Sequence, residues 1–151
     1  MRISRLLPVP AALLAAFAVL SVACGGIQKA VQEAQERDKK LNELHELGMM
    51  YHNYFDTNQK GPSRAEDLDQ YATMPQAKDA LQGVRSGKYK FVWNVHLLEV
   101  INTSGTANTI LAYEPSAETS KGCVLFVDGS TMEVTSAEFK TKQLAKPKGG
   151  K

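Results

Sequence analysis

The sequence has little with which to do chemistry. Only two cysteines, Cys24 and Cys123, occur in 151 residues, too few for a disulfide framework or a cysteine-rich zinc site. There is no His-Glu-x-x-His stretch, no Gly-x-Ser-x-Gly elbow and no glycine-rich phosphate loop. The common sequence signatures of zinc hydrolases, serine hydrolases and nucleotide-binding enzymes are therefore missing. Charge is nearly balanced, 18 Lys and Arg against 16 Asp and Glu, which gives none of the basic surplus that fastens a chain to nucleic acid. No internal repeat is visible. The one long apolar run, Leu6 to Leu20 and the small residues after it, barely reaches the ~20 residues of a membrane span. It also carries Pro8 and Pro10, which disfavour a continuous helix.

What that run does fit is an export signal. Arg2 and Arg5 form a basic head, the uncharged stretch follows, and "SVA" precedes Cys24, the order of n-region, h-region and small-residue cleavage site. "LSVACGG" further resembles the lipobox of a bacterial lipoprotein, with Val22 and Ala23 before the cysteine that is cut and lipidated. Ser21 stands where the usual leucine would, and Leu20 lies one place earlier. The resemblance implies that residues 1–23 are a signal peptide and that Cys24 is the lipid attachment site. Several acyl chains at ~0.8 kcal/mol per buried methylene would then hold the chain to a membrane. Gly25 and Gly26 are not the aspartate that retains some lipoproteins at the inner membrane, so the same resemblance favours the outer membrane. With Cys24 acylated, Cys123 has no partner. Loss of Arg2 and Arg5 brings the charge to about zero.

The remaining chain reads as one α+β domain. Ile27, Val31, Ala34, Leu41, Leu44, Gly48, Tyr51 and Phe55 recur at helical spacing, so a long helix is expected from Ile27 to about Phe55. Its first half is so polar that residues 24–40 read as a solvated stalk and 41–140 as the packed domain. "DTNQKGP" breaks the helix. "SRAE" is expected to be a capping box between Ser63 and Glu66, and a second short helix is expected around Ala77–Leu81. The alternation in "KYKFVWNV" predicts a strand over 88–95, followed by a polar loop "NTSGTAN". "TILAYE", "GCVLFV" and "TMEVT" supply three more strands, the last two joined by a tight turn at Asp128-Gly129. Ser136 is expected to cap a terminal helix. The basic tail 141–151 has no apolar period and is expected to be disordered.

That order, with "LGMMYHNYFDTNQKGPSRAEDL" and "GCVLFVDGSTMEVTSAEF", resembles the pilin-like (pseudopilin-related) proteins, whose closing hairpin carries an F-A-D-G-H/S-V type motif. The resemblance implies one long helix packed on a small antiparallel meander of about four strands. It also implies either a non-catalytic, lipid-anchored envelope protein that binds or scaffolds, or a minor component of a type II secretion or type IV pilus system. The front of the chain departs from pilins. Seven charged residues lie between Lys29 and Lys40, where a pilin keeps an apolar helix, and burying them in a filament would be costly. A monomer is expected, with the membrane and envelope proteins as partners.

Few residues are candidates for chemistry. His45 and His52 lie seven apart with Asp56 following, so a metal site is conceivable; their spacing fits solvated helix positions equally well, and no metal or cofactor is expected. His96 ends the expected strand and is expected to be exposed or a satisfied edge residue, and Cys123 to be a buried, inert thiol. Asp128 alone lacks the oxygens that calcium requires. No catalytic residue emerges, and the chain is expected not to be an enzyme.

Overall fold

A computed structural model describes residues 15–103 and 105–148, with side chains from residue 26 onward. Residues 1–14 of the expected signal peptide, the side chain of the expected attachment site Cys24, and residues 104 and 149–151 lie outside the described residues. The chain divides into two compact units, Met1–Glu36 and Arg37–Lys151. Helix α1, Ala15–Asn58, runs through both. In the first unit residues 26–36 are exposed apart from half-buried Ala34, and the apolar stripe begins in water, with Ile27 66% and Val31 49% exposed. Lys29 and Glu33 pair at 4.0 Å one turn apart. Among the described residues no helix is long and apolar enough to cross a membrane.

The second unit is α+β. After α1 come a 3-10 turn Ala65–Tyr71, helix α2 (Pro75–Arg85), strand β1 (Lys90–Phe91) and helix α3 (Leu97–Thr103). Strands β2 (Thr109–Tyr113), β3 (Lys121–Phe126) and β4 (Thr131–Thr135), helix α4 (Ser136–Thr141) and strand β5 (Gln143–Leu144) complete it. The sheet order is β1-β2-β3-β4, all antiparallel, with β5 added parallel to β2. Alternation sends side chains to opposite faces. Leu111, Cys123, Leu125 and Val127 join Leu44, Leu47, Tyr51 and Phe55 of α1 in the larger core. Ile110, Tyr113, Val124, Phe126 and Val134 form a smaller one, with Phe139 of α4 packed on it. The central strands are thus buried on both faces, which is why they read as nearly continuous apolar runs.

Several expectations are corrected. The strand expected over 88–95 is reduced to Lys90–Phe91, because Asn94 turns the backbone at φ +58° and donates its N–H to Pro62 O at 2.8 Å. Part of the expected polar loop is α3, whose Leu97 and Val100 are buried. The capping box expected between Ser63 and Glu66 does not form: the residue before the 3-10 turn is Arg64, with no side-chain cap, and Ser63 instead donates its hydroxyl (2.7 Å) and its N–H (2.8 Å) to the Asp67 carboxylate. The cap of α4 is Thr135, in a reciprocal box with Glu138, and Ser136 is the first helical residue.

The tail is ordered through Lys148. Ala145, buried, donates its N–H to Ile110 O at 2.8 Å, and Lys148 closes on Asn94 O at 2.7 Å. The sheet edge supplies hydrogen bonds that a local reading of the tail could not anticipate.

Candidate functional site: the groove between α1 and the β3–β4 turn

Two turns of α1 face the β3–β4 hairpin turn. Gly48 is the contact point: a side chain there would stand 3.0 Å from Leu125 Cδ1 and 3.5 Å from Gly129 Cα, so the bare backbone lets the helix lie close. On either side of it the histidines reach the turn. His45 Nδ1 is 3.2 Å from Gly129 O, and His52 Nε2 is 2.9 Å from Val127 O. With Met49, Asn53, Asp128 and Ser130 they line a groove of about 480 Å³. The sequence placed both histidines on one face of a helix, and the fold brings that face onto the Asp128-Gly129 turn. Asp56 does not join them, and among the described residues no three His, Cys, Asp or Glu side chains cluster as metal ligands.

The turn is looser than a two-residue hairpin. Gly129 N–H donates to Phe126 O at 3.0 Å and Phe126 N–H to Ser130 O at 2.9 Å, so three residues, Val127 to Gly129, form the loop. Only Gly129 has positive φ, +86°, as in a type I turn followed by a glycine bulge. Asp128 keeps negative φ and instead caps the loop, with Oδ1 accepting from Ser130 N–H at 2.9 Å and Ser130 Oγ–H at 2.6 Å. A β-branched residue resists φ of this sign. Gly129→Val is expected to lower stability by about 1 kcal/mol or more, read from the urea midpoint; an unchanged midpoint would contradict the turn geometry.

Two carboxylates are buried near the same helix. Glu43, 4% exposed, accepts from Lys88 Nζ and from Tyr89 Oη at 2.7 Å, with Lys39 at 3.8 Å. Glu114 pairs with Lys40 at 2.8 Å and accepts the Cys123 N–H at 2.8 Å. Burial works to raise both pKa values, but hydrogen bonds and lysine charges outweigh it and hold both carboxyls below the ordinary range. A depressed folded-state pKa gives stability that is present above the unfolded value of 4.5 and lost as pH falls through the folded value. The urea midpoint is therefore expected to hold from neutral pH to about pH 5 and fall below about pH 4.5. The double variant Glu43→Gln/Glu114→Gln should lose part of that fall; an identical fall in the variant would contradict the assignment.

The other singled-out residues fall elsewhere. The Cys123 thiol is buried, and desolvation, helped by the Glu114 charge, pushes it up to about 12. A thiol that stays protonated is a poor nucleophile. His96 is not an edge residue: its ring packs edge-on against Phe55 at 5.2 Å, and its Nδ1 is buried without a hydrogen-bond partner. It borders a separate cleft of about 360 Å³ between α3 and the C-terminal segment, which sequence reasoning missed together with α3. The backbone of Cys24 lies within α1. No family model, curated protein or solved structure matches this chain.

Proposed function

We propose that the chain is a lipid-anchored cell-envelope protein of non-catalytic type, which binds or scaffolds through a pilin-like α+β domain. The observation that carries this reading is the polar, exposed stretch 26–36 that follows the lipobox cysteine. The Arg37–Lys151 unit has its own core, with Leu44, Leu47, Tyr51 and Phe55 packed against the sheet, and needs no help from the segment before it. The long helix followed by an antiparallel sheet supports the pilin-like reading. The outer membrane is the favoured location, through the glycines that follow Cys24.

The same helix-then-sheet order favours a second reading, a minor pseudopilin-like component of a secretion or pilus machine. Fractionation tests the anchor. The wild-type chain should sediment with membranes, and Cys24→Ser should leave them; equal membrane association of both would overturn the proposal. In-cell crosslinking distinguishes the two readings, since capture of secretion-system proteins would promote the second.

A further inference from the structure

The cleft between α3 and the C-terminal segment has a volume of about 360 Å³, within the size range of small-molecule sites. Its two walls are held in register. Val95 bridges Pro147 in the antiparallel sense, and Lys148 N–H donates to Asn94 O at 2.7 Å one step further out. The same register sets His96 opposite Lys146, and directly opposed residues of an antiparallel pair project to one side. Both line the cleft. His96 Nδ1 is buried without a hydrogen-bond partner, which leaves a polar atom desolvated and unsatisfied. Edge-on packing against Phe55 at 5.2 Å holds the ring in place. Lys146 is exposed and has no ion-pair partner among the described residues.

The charges decide the ligand. Glu99 also lines the cleft, but it is paired with Lys148 at 3.6 Å, so Lys146 is the charge left to be met. One cation beside an imidazole suits a monoanion. A phosphate dianion would find no second unpaired cation there and would face the Glu99 carboxylate. A carboxylate offers two oxygens, one to the Lys146 ammonium and one to a proton on His96 Nδ1. Val100, Leu144 and Ala145 give the cleft an apolar side, against which a short hydrocarbon body would shed its water. We propose that this cleft binds a small organic carboxylate, held by Lys146 and His96 at its charged end and by Val100 and Leu144 along its body.

The test is titration of the full chain in detergent with sodium butyrate, followed by NMR of the histidine ring protons and backbone amides. Butyrate should shift the His96 ring and the amides of residues 143–146 saturably, and leave the His45 and His52 rings unmoved. Lys146→Gln should weaken binding about tenfold, as loss of one charge-assisted hydrogen bond requires. Lys140→Gln, at an exposed lysine elsewhere, should leave binding unchanged. His96→Phe, which keeps an aromatic ring on Phe55, should weaken it by a similar factor. Butylammonium, with the same body and the opposite charge, and inorganic phosphate should shift these signals only at far higher concentration. The proposal is overturned if butyrate leaves the His96 ring unmoved, or if butylammonium or phosphate binds as tightly as butyrate. It is overturned equally if Lys146→Gln binds as wild type.

Discussion

Replacing Gly61 with alanine is expected to destabilise the folded unit by about 3 kcal/mol, the upper end for an overpacked site. Gly61 follows the end of α1, where Gln59, at φ +56°, turns the chain out of the helix. The chain then passes so close to Val95 that an added methyl would collide with the Val95 carbonyl oxygen and the Tyr51 hydroxyl, and would stand 2.8 Å from Val95 N. Two of these obstacles are backbone atoms, and the third is held in place. Tyr51 is fully buried and donates its hydroxyl to Val95 O at 2.5 Å. Burial pushes the Tyr51 phenol far above its ordinary pKa, so it stays a donor over the whole working range. Relief by rotation of a flexible side chain is therefore closed. Urea denaturation should show a lower midpoint with an unchanged slope, and Tyr51→Phe in the same chain should not restore it, because Val95 remains. A wild-type midpoint for Gly61→Ala would mean that the link from α1 to Val95 is wrong.

A comparable loss, about 3 kcal/mol, is expected for Leu125→Ala, within the usual range for a leucine deleted from a core. Leu125 is 0% exposed. It pairs with Ala112 of β2 on one side and Thr131 of β4 on the other, and its side chain meets α1 at Gly48. The cavity would open where helix and sheet join, and neither side can close it without moving the other. Leu98→Ala is the control. That side chain is 51% exposed, and the change there should be within about 0.5 kcal/mol. Equal losses at the two positions would contradict the placement of the core.

The contrast between those leucines also marks what could be read in advance. Helix α1 and strands β2 to β4 declare themselves because their apolar residues repeat with the periods of their structures. Asp128-Gly129 does so because positive φ favours glycine. Helix α3 is hidden by its composition: "LLEVINT" has Leu97 and Val100 at helical spacing, but Val100, Ile101 and Thr103 are β-branched and favour strands. Tertiary burial of Leu97 and Val100 overrides that preference. The ordered tail was illegible for a different reason, since its hydrogen bonds go to Ile110 and Asn94, far away in sequence.

The groove was half legible. The spacing of His45 and His52 shows a shared face, but nothing local shows that the carbonyls of Gly129 and Val127, 84 and 75 residues away, are their partners. Glu43 is the clearest miss. It lies between Leu41 and Leu44 with no local sign of a partner, and only the fold brings Lys88 and Tyr89 to it.

Mass spectrometry of the protein extracted from membranes tests most directly the proposal that Cys24 is the mature, acylated N-terminus. The N-terminal peptide should begin at residue 24 and carry the added mass of a diacylglycerol thioether and an amide-linked acyl chain. A peptide that runs intact from Met1 through Ala23, or one that begins at residue 24 with no lipid mass, would contradict it.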